Sequence, residues 1–354
     1  MPHPARGTVT LHDVAAAAGV SLATASRVLG GSSRTVAQEY RERVLAAAEQ
    51  LRYTADASAR AMRRMSDSLA LVADDLTTPS MAMVVSAMER EARTTGAFVT
   101  VSATRGNPDR QLETIRRLRA LRPRALVLTS GRIDANALSG QLLAELRTYE
   151  RGGGRVVVVG DTDMPFHSVK FDNHGAACLL GRHMADSGHR RIAIIAGADG
   201  QAAPTARAAG FLAGLRAGGV DASDVRIVHC AMSREGGFEA ARGLVGARPG
   251  GGGLDVVGLD AILAVNDVIA VGALRALREA GVAVPDDVSL TGFDDIRLAV
   301  NVTPRLTTVA LPLAYAGVEA IRLALGEPGP VTHVTVEGRV VVRDSTRTRA
   351  RQSP

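Results

Sequence analysis

From residue 68 onward, short apolar runs alternate with stretches of helix length, and this alternation limits the possible folds more than any other feature. The eight runs span residues 69–73, 98–101, 125–128, 156–159, 192–195, 225–228, 261–265 and 288–290. Continuous Val, Ile and Leu runs separated by helices are typical of parallel sheets covered on both faces. Such strands can close into one barrel or form two doubly wound sheets. The polar stretch 161–173 divides them into two similar groups of four, which favours two sheets.

The N-terminal 50 residues instead predict three short helices. Thr10, followed by Asp13 three positions later, is typical of a capping box. Gly19 ends the first helix, Ser21 can cap the second, and the third extends over roughly residues 37–51. The short turn between the first two helices predicts a helix-turn-helix, although any three-helix bundle shares this periodicity.

Positive charge is concentrated near the N-terminus. Residues 1–66 contain nine arginines and five acidic residues, while the whole chain has a net charge of +6. A basic module of this size is suited to contact phosphates, but composition alone fits a solvated surface equally well.

The sequence argues against several other classes of protein. The apolar runs are broken well before the ~20 residues that a membrane-spanning helix needs. Residues 1–11 contain no hydrophobic secretory core, so we expect a cytoplasmic protein with no membrane partner. Cys178 and Cys230 lack metal spacing and are interpreted as buried or half-buried thiols. The glycine tracts 152–154 and 250–253 lack the spacing of a phosphate-binding loop, and we expect no cofactor and no metal.

Motifs spread over the whole chain resemble the lactose/galactose-repressor (LacI/GalR) family of transcriptional regulators. In the N-terminal part these motifs occupy residues 10–15, 19–21, 24–29, 41–44, 46–48, 51–53 and 59–60. In the remainder they occupy residues 188–192, 207–211, 264–267, 292–295 and 342–346.

The resemblance implies an all-α helix-turn-helix headpiece and an α/β periplasmic-binding-protein-like sensor with two doubly wound parallel-sheet lobes. The implied segments are a DNA-binding domain at 1–53, a hinge helix or linker at 54–67, an effector-binding domain at 68–346 and a tail at 347–354. The chain is expected to cross between lobes near residues 166, 310 and 337. The first lobe would then comprise about 68–165 and 312–336, and the second about 166–310 and 337–346.

By the same resemblance, the second helix reads DNA. Leu22 and Ala23 match the base-reading pair of the family, and Arg27 follows on the same helix. Ala23 has no hydrogen-bonding group, so direct readout there is limited to apolar contact such as a thymine methyl. Whether Arg27 contacts a base or a phosphate stays open. The full set of DNA-binding candidates is Thr10, Ser21, Leu22, Ala23, Thr24, Ser26, Arg27, Ala59 and Met62.

The linker departs from the family pattern in ways that bear on DNA binding. Met62 stands where the family usually has a Leu that wedges into the minor groove, and Met is also an apolar wedge. Ala55 and Asp56 replace the usual Pro and Asn, and Ala37 replaces the Ser that caps the third helix. Asp56 places a negative charge near phosphates, which should reduce affinity modestly. A disordered linker is the alternative interpretation.

The effector site is expected between the lobes, beyond the carboxyl ends of the strands. The resemblance assigns it Asp161, Arg207, Met232, Asn266 and Asp294. Two carboxylates, a guanidinium and an amide can bind a polyhydroxylated ligand. Alternatively, Arg207 and Asp294 pair with each other, and Asn266 caps a helix.

The cleft has few aromatic residues, which weakens stacking on a sugar ring. Ser80 and Met81 stand where relatives often carry aromatics, and Met232 stands where an aromatic often stacks. A sugar or related metabolite remains the expected effector.

The predicted function is therefore a sequence-specific transcriptional regulator, a repressor, that binds pseudo-palindromic double-stranded operator DNA as a homodimer under control of a small-molecule effector. The sign of that control and the number of subunits beyond two stay open. A solute-binding protein of a transporter is one alternative, but it would not need residues 1–66. An enzyme is another, with Asp294 and Asp295 as a carboxylate pair or with His174, His183 and His189 on a metal. No nucleophile–base spacing appears, and the spacing of the histidines does not stack ligands on one helix face.

Overall fold

The structure is a computed structural model that describes residues 9–29, 36–51, 53, 66–129, 137–198, 200–247, 254–256 and 258–349. The chain divides into two compact units, one formed mainly by residues 1–66 and the other by most of the remaining chain. Each unit has its own hydrophobic core.

The N-terminal unit contains three helices, as the sequence predicts. They are α1 (Leu11–Ala18), α2 (Leu22–Leu29) and α3 (Gln38–Gln50). The capping box of Thr10 and Asp13 is confirmed, and Gly19 ends α1 in the left-handed region with φ +62°. Val14, Ala25 and Val44, one from each helix, are fully buried together. Because these core residues are small, the helices pack closely around a compact interior.

The larger unit contains two parallel sheets, so the predicted pair of sheets is confirmed. The sheet of the first lobe has the order β13-β5-β4-β3-β1-β2. Its strands are β1 (Ser66–Ala73), β2 (Phe98–Ala103), β3 (Pro123–Thr129), β4 (Arg155–Val159), β5 (His167–Phe171) and β13 (His333–Val336). Its helices are α4 (Pro79–Thr94), α5 (Pro108–Ala120), α6 (Ala137–Arg151) and α11 (Leu313–Leu325).

The sheet of the second lobe has the order β11-β10-β6-β7. Its strands are β6 (Ile192–Ala196), β7 (Val225–His229), β10 (Ala261–Ala264) and β11 (Ser289–Thr291). Its helices are α7 (Asn173–Asp186), α8 (Ala202–Ala217), α9 (Arg234–Arg242) and α10 (Asp267–Glu279). Two short antiparallel pairs complete the unit: β8 (Val245–Ala247) with β9 (Leu254–Val256), and β12 (Thr308–Ala310) with β14 (Arg339–Val341).

The first of the crossings between the lobes lies later in the chain than the sequence predicts. Strand β5 pairs with β4 and β13, so the chain stays in the first sheet through Phe171 and the boundary at residues 165–166 is wrong. The stretch 161–173 resembles a linker in composition because strand β5, which lies within it, carries polar side chains. These are satisfied between strands, since His167 Nδ1 accepts from Thr332 N at 3.1 Å and the Ser168 hydroxyl lies 2.8 Å from His333 Nδ1.

The start of the predicted tail is part of the second lobe. Arg349 N donates to Ser187 O at 2.8 Å, and Arg347 N donates to Ser289 Oγ at 3.3 Å. Residues 345–349 therefore pack on this lobe, and the assignment of a free tail from residue 347 is wrong. Residues 350–354 lie outside the described part of the chain.

Candidate DNA-binding and effector-binding sites

The helix-turn-helix is held by side-chain caps. Ser21 Oγ accepts from Thr24 N at 3.1 Å and lies 2.8 Å from Thr24 Oγ1, which confirms the predicted cap of α2. The Thr10 hydroxyl donates to Asp13 Oδ2 at 2.7 Å, so this DNA-binding candidate also fixes a helix end. Ala37 precedes α3 without a side-chain cap. The Thr10 hydroxyl thus stabilises the start of α1, and the Ser21 hydroxyl stabilises the start of α2 directly after the turn.

The remaining candidates on α2 form its outward face. Leu22 is 42% exposed, Ala23 and Arg27 are exposed, and Ser26 is half-buried, while Ala25 between them is fully buried. Within the described part of the chain, no carboxylate pairs with Arg27. This arrangement leaves apolar groups and one guanidinium on the surface that a recognition helix turns to the major groove.

One contact across the turn is not predicted by the sequence. The Arg43 guanidinium lies against Gly19 and donates to its carbonyl oxygen at 3.4 Å. A Cβ at Gly19 would meet only Arg43 Nη2, the end of a flexible side chain that can move aside, so the turn needs glycine for its positive φ. Ala59 and Met62, the two hinge candidates, lie outside the described residues.

In the larger unit, the polar candidates converge at the carboxyl edge of the second sheet around Arg207. This residue lies on α8 and is only 8% exposed. Its Nε donates to Asn173 Oδ1 at 2.8 Å, and its Nη1 donates to Val265 O at 2.9 Å. Its Nη2 lies 2.8 Å from Asp294 Oδ1 in a buried ion pair. The guanidinium also covers the ring of Phe293, with its carbon 4.1 Å from the centroid.

Asp294 faces the other lobe. It is 4% exposed and has a left-handed backbone with φ 102°, which is rare for a residue other than glycine. Burial raises the pKa of Asp294, while Arg207 and the hydroxyl of Ser80 act in the opposite direction. Because Ser80 lies near the start of α4, a side chain of the first lobe reaches this carboxyl group.

The other effector candidates have local partners. Asn266 Oδ1 accepts from Ile269 N at 2.8 Å and so caps α10, the alternative that the sequence left open. Met232 is half-buried and packs near Gly197 and Pro204. Asp161 is half-buried and lies just after β4, at the carboxyl edge of the first sheet rather than the second. The structure thus brings Arg207, Asp294 and Asn266 to one edge and leaves Asp161 on the facing lobe.

Sequence reasoning missed Asn173 and Asp267, which both belong to this edge. Asn173 begins α7 directly after the first lobe crossing and holds the Arg207 side chain. Asp267 follows Asn266 and is fully buried. Their positions in the sequence could have identified them. Both residues follow the end of a strand, where side chains of a parallel sheet face the cleft.

The described side chains do not have the geometry that the enzyme hypotheses require. Asp294 pairs with Arg207, whereas Asp295 pairs with Arg343 at 2.7 Å, so the adjacent carboxylates point to separate partners. His189 is a satisfied core residue, with Nε2 2.9 Å from Ser289 Oγ. Among the described residues, no group of three or more His, Cys, Asp or Glu side chains can hold a metal.

Two further predictions concern thiols and membranes. Cys178 and Cys230 are both half-buried and free, as expected. Within the described part of the chain, none of the helices has the length and hydropathy needed to cross a bilayer.

A helix-turn-helix unit combined with two parallel-sheet lobes that enclose a polar cleft defines a class of protein: regulators that bind DNA and sense a small molecule. Residues 10–56 match the model of the bacterial regulatory proteins of the lacI family, and residues 182–346 match the periplasmic binding protein-like domain. The chain is 31% identical over 334 residues to the HTH-type transcriptional regulator GalR of Salmonella typhimurium, and the match covers 92% of each chain.

Solved structures agree with these matches. The lac repressor dimer bound to operator and the anti-inducer ONPF has a TM-score of 0.80 and 25% identity, and covers 96% of this chain and 100% of its own. The transcriptional regulator CelR in complex with cellobiose has a TM-score of 0.67 and 28% identity, and covers 95% and 99%. The chain belongs to the LacI family of bacterial regulatory proteins. It is a DNA-binding transcriptional regulator, and these relatives are regulators rather than enzymes.

Proposed function

We propose that the chain is a cytoplasmic repressor without enzymatic activity, and that it binds pseudo-palindromic operator DNA as a homodimer. The exposed face of α2 supports this proposal, because Leu22, Ala23 and Arg27 offer apolar contact and charge to one major groove. Two such helices, related by the two-fold axis of a dimer, match the two halves of a palindrome. The lac repressor neighbour is a dimer on operator DNA, which supports the same assembly.

An exposed apolar edge supports dimerisation through the first lobe. Strand β2 is an edge strand of its sheet, and it carries Phe98 at 58% exposure and Val101 at 39% exposure. Large apolar side chains on an unpaired edge favour association, because they are removed from water when a second chain covers them.

The hinge residues keep the roles that the family resemblance gives them. Met62 is proposed to wedge into the minor groove at the centre of the operator, and Ala59 is proposed to contact the same DNA. Met62→Ala should then weaken operator binding and leave effector affinity intact.

The effector is proposed to bind in the cleft beside Arg207 and Asp294. The observation that carries this assignment is a buried ion pair at the carboxyl edge of the second sheet, with Ser80 of the first lobe close to its carboxyl group. A ligand there would contact both lobes, so it would favour one angle between them. Asn266, Met232 and Asp161 complete the proposed site.

The effector class is proposed to be a sugar or a related metabolite. Hydroxyl groups suit the mixture of carboxylate and guanidinium, and the CelR neighbour is complexed with cellobiose. Binding would shift the equilibrium between lobe arrangements, and with it the spacing of the two headpieces on DNA.

Operator binding is tested with full-length protein and promoter-region duplexes in fluorescence anisotropy. We expect strong binding to a palindrome upstream of the gene or its neighbours, and affinity that falls steeply with salt. Specific binding to none of these duplexes, with or without added sugars, would refute the repressor assignment and favour a solute-binding role.

Effector binding is tested by calorimetry with cellobiose, D-galactose and D-ribose as probes. Arg207→Ala should abolish sugar binding and leave operator affinity unchanged, which also shows that the variant folds. Arg216→Ala is the matched control, because Arg216 is exposed near the end of the same helix. Unchanged sugar binding in Arg207→Ala would show that the pocket assignment is wrong, and no binding of any probe would exclude these sugars.

A further inference from the structure

Asp267 touches two segments that meet at the cleft. It is fully buried at the start of α10. The Thr308 hydroxyl donates to its Oδ1 at 2.7 Å, and Ile296 N donates to its Oδ2 at 2.8 Å. Its own backbone N donates to Phe293 O at 2.9 Å. One side chain therefore connects the loop 293–296 with strand β12.

Both segments matter for the proposed effector site. The loop carries Asp294, and β12 is the segment through which the chain returns to the first lobe. Asp294 and Asp295 both have left-handed backbones, with φ of 102° and 55°. Such conformations are strained for residues other than glycine and persist only where the surroundings hold them. The hydrogen bond from Ile296 N to Asp267 holds the end of this strained pair.

The backbones of the two segments are also paired. Gly292 N donates to Thr307 O, and Asp294 N donates to Val309 O, both at 2.9 Å. The Ile296 amide is different, because its partner is the Asp267 side chain rather than β12. Hydrogen exchange of the Ile296 amide therefore reports on its hydrogen bond to Asp267 and not on backbone pairing with β12.

The charges around Asp267 do not balance. Three carboxyl groups, those of Asp267, Asp294 and Asp295, face two guanidiniums. Arg207 pairs with Asp294 and Arg343 pairs with Asp295, at 2.8 and 2.7 Å. Among the described residues, no cation forms an ion pair with Asp267. A buried carboxylate without a cation is costly, so this group is the one that retains a proton.

The energetics of ionisation agree with that assignment. Burial, together with Asp294 and Asp295, raises the pKa of Asp267 to about 8, against the opposing hydrogen bonds from Thr308 and Ile296. A protonated carboxyl keeps both contacts, because its hydroxyl can donate to Thr308 Oγ1 while the other oxygen still accepts from Ile296 N.

We propose that Asp267 is a positioning residue of the effector site: its carboxyl group joins the Asp294 loop to the β12 crossing, so that a movement of either segment is transmitted to the other. Its consequence for effector response rests on the proposed function. The link itself is a property of the ligand-free protein and can be tested without a ligand.

The first test compares amide hydrogen exchange of Ile296 in the full-length, ligand-free protein from pH 7 to pH 9. Asp267→Asn imitates the protonated carboxyl, because its amide can donate to Thr308 and its oxygen can accept from Ile296. We expect the Asp267→Asn variant to match the wild type within about twofold at pH 7. Because burial raises the pKa of Asp267 in the closed protein above its ordinary value, raising the pH favours the opened loop, in which the carboxylate is hydrated. After correction for intrinsic exchange, wild-type protection should therefore fall about fivefold by pH 9, and the Asp267→Asn variant should show no fall.

Asp260→Asn is the matched control. Asp260 is a buried carboxyl of the same lobe, but it accepts from Arg190 N and Arg191 N, and these bonds hold its pKa below the usual value against burial. This control should leave the pH profile of Ile296 unchanged. An Asp267→Asn variant that loses Ile296 protection at pH 7, or a wild type without a pH-dependent fall, would overturn the proposal.

The second test measures transmission from β12. Thr308→Val removes the hydroxyl but keeps the branched shape, and Thr308→Ser keeps the hydroxyl. We expect Thr308→Val to lower the protection of Ile296 about fivefold and Thr308→Ser to leave it within about twofold. Equal protection in all three proteins would show that Asp267 does not connect the segments. Because every measurement is made without ligand, failure of this link is distinct from failure of sugar binding.

Discussion

Replacing Arg207 by methionine removes a buried cation while keeping much of the side-chain length. The change deletes hydrogen bonds to Asn173 and to Val265 O, and leaves Asp294 without its partner. Breaking a buried pair from one side costs about 3–5 kcal/mol, because the remaining charge is unpaired. At about 2–4 °C per kcal/mol for a domain of this size, the melting temperature should fall by roughly 10–15 °C.

A double-mutant cycle with Asp294→Asn isolates the pair. The double variant has neither charge, so it should be more stable than the sum of the single changes predicts, by about 3 kcal/mol. Thermal and urea unfolding of the four proteins, followed by circular dichroism, give the coupling. Arg216→Met, on the exposed end of the same helix, should change stability by less than about 0.5 kcal/mol.

The pH dependence provides an independent check with a defined sign. Arg207 lowers the pKa of Asp294, so its loss should raise that pKa further above the value in the unfolded chain. The folded variant then binds a proton that the unfolded chain lacks, and its stability should increase as pH falls from above neutral towards the ordinary pKa of an aspartate. The double variant should lack this added slope and keep only the contribution of Asp267, whose pKa burial raises to about 8. Additive single changes, or a variant whose deficit is independent of pH, would refute the reasoning.

Three further changes test other parts of the molecule. If its guanidinium contacts a phosphate, Arg27→Ala should weaken operator binding and reduce the slope of log affinity against log salt concentration by about one. Anisotropy at several salt concentrations measures this slope, and an unchanged slope would argue for a base contact. Gly19→Val should destabilise the headpiece by at least about 1–2 kcal/mol, since it forces a β-branched residue into the left-handed region. A headpiece with unchanged thermal unfolding would contradict this. Phe98→Asp should convert the dimer to monomer in sedimentation. Leu121→Asp, which changes another exposed apolar side chain, should not do so. A Phe98→Asp variant that stays dimeric would exclude the β2 surface as the dimer interface.

Periodicity was sufficient to predict the layers of the fold. All eight predicted apolar runs coincide with strands. Strands buried on both faces, such as β6 and β10, need apolar side chains at every position, whereas β2 and β7 are apolar edge strands with exposed side chains. Strand β5 escaped detection because His167, Ser168 and Lys170 interrupt its apolar character. Its polar groups are paired with neighbouring residues in space, and those neighbours lie some 165 residues away in the chain.

The sequence provides candidates for the proposed effector site, but it does not provide their full arrangement. A family resemblance points to Arg207 and Asp294, and their mutual pairing is one of the alternatives left open by the sequence. The folded chain shows that pair and adds Asn173, which accepts a hydrogen bond from the same guanidinium. The left-handed backbone of Asp294 has no local sequence signature, since aspartate adopts this region only when its surroundings impose it. Asp267 was overlooked for a similar reason, because its partners come from the distant segments 293–296 and 308–310.

The repeated crossing between lobes also affects how this protein is made on the ribosome. The first sheet gains its edge strand β13 only with residues 333–336, and the second lobe receives Ser345, which donates to Leu290 O at 2.6 Å and accepts from Leu290 N at 2.8 Å. Synthesis proceeds from the N-terminus, so both lobes stay incomplete until almost the whole chain has emerged. A nascent chain that stops before residue 333 therefore exposes the unpaired edge of β5 and the uncovered end of β11 at the same time. Premature termination near the end of the gene is thus expected to yield an aggregation-prone product rather than a shortened regulator.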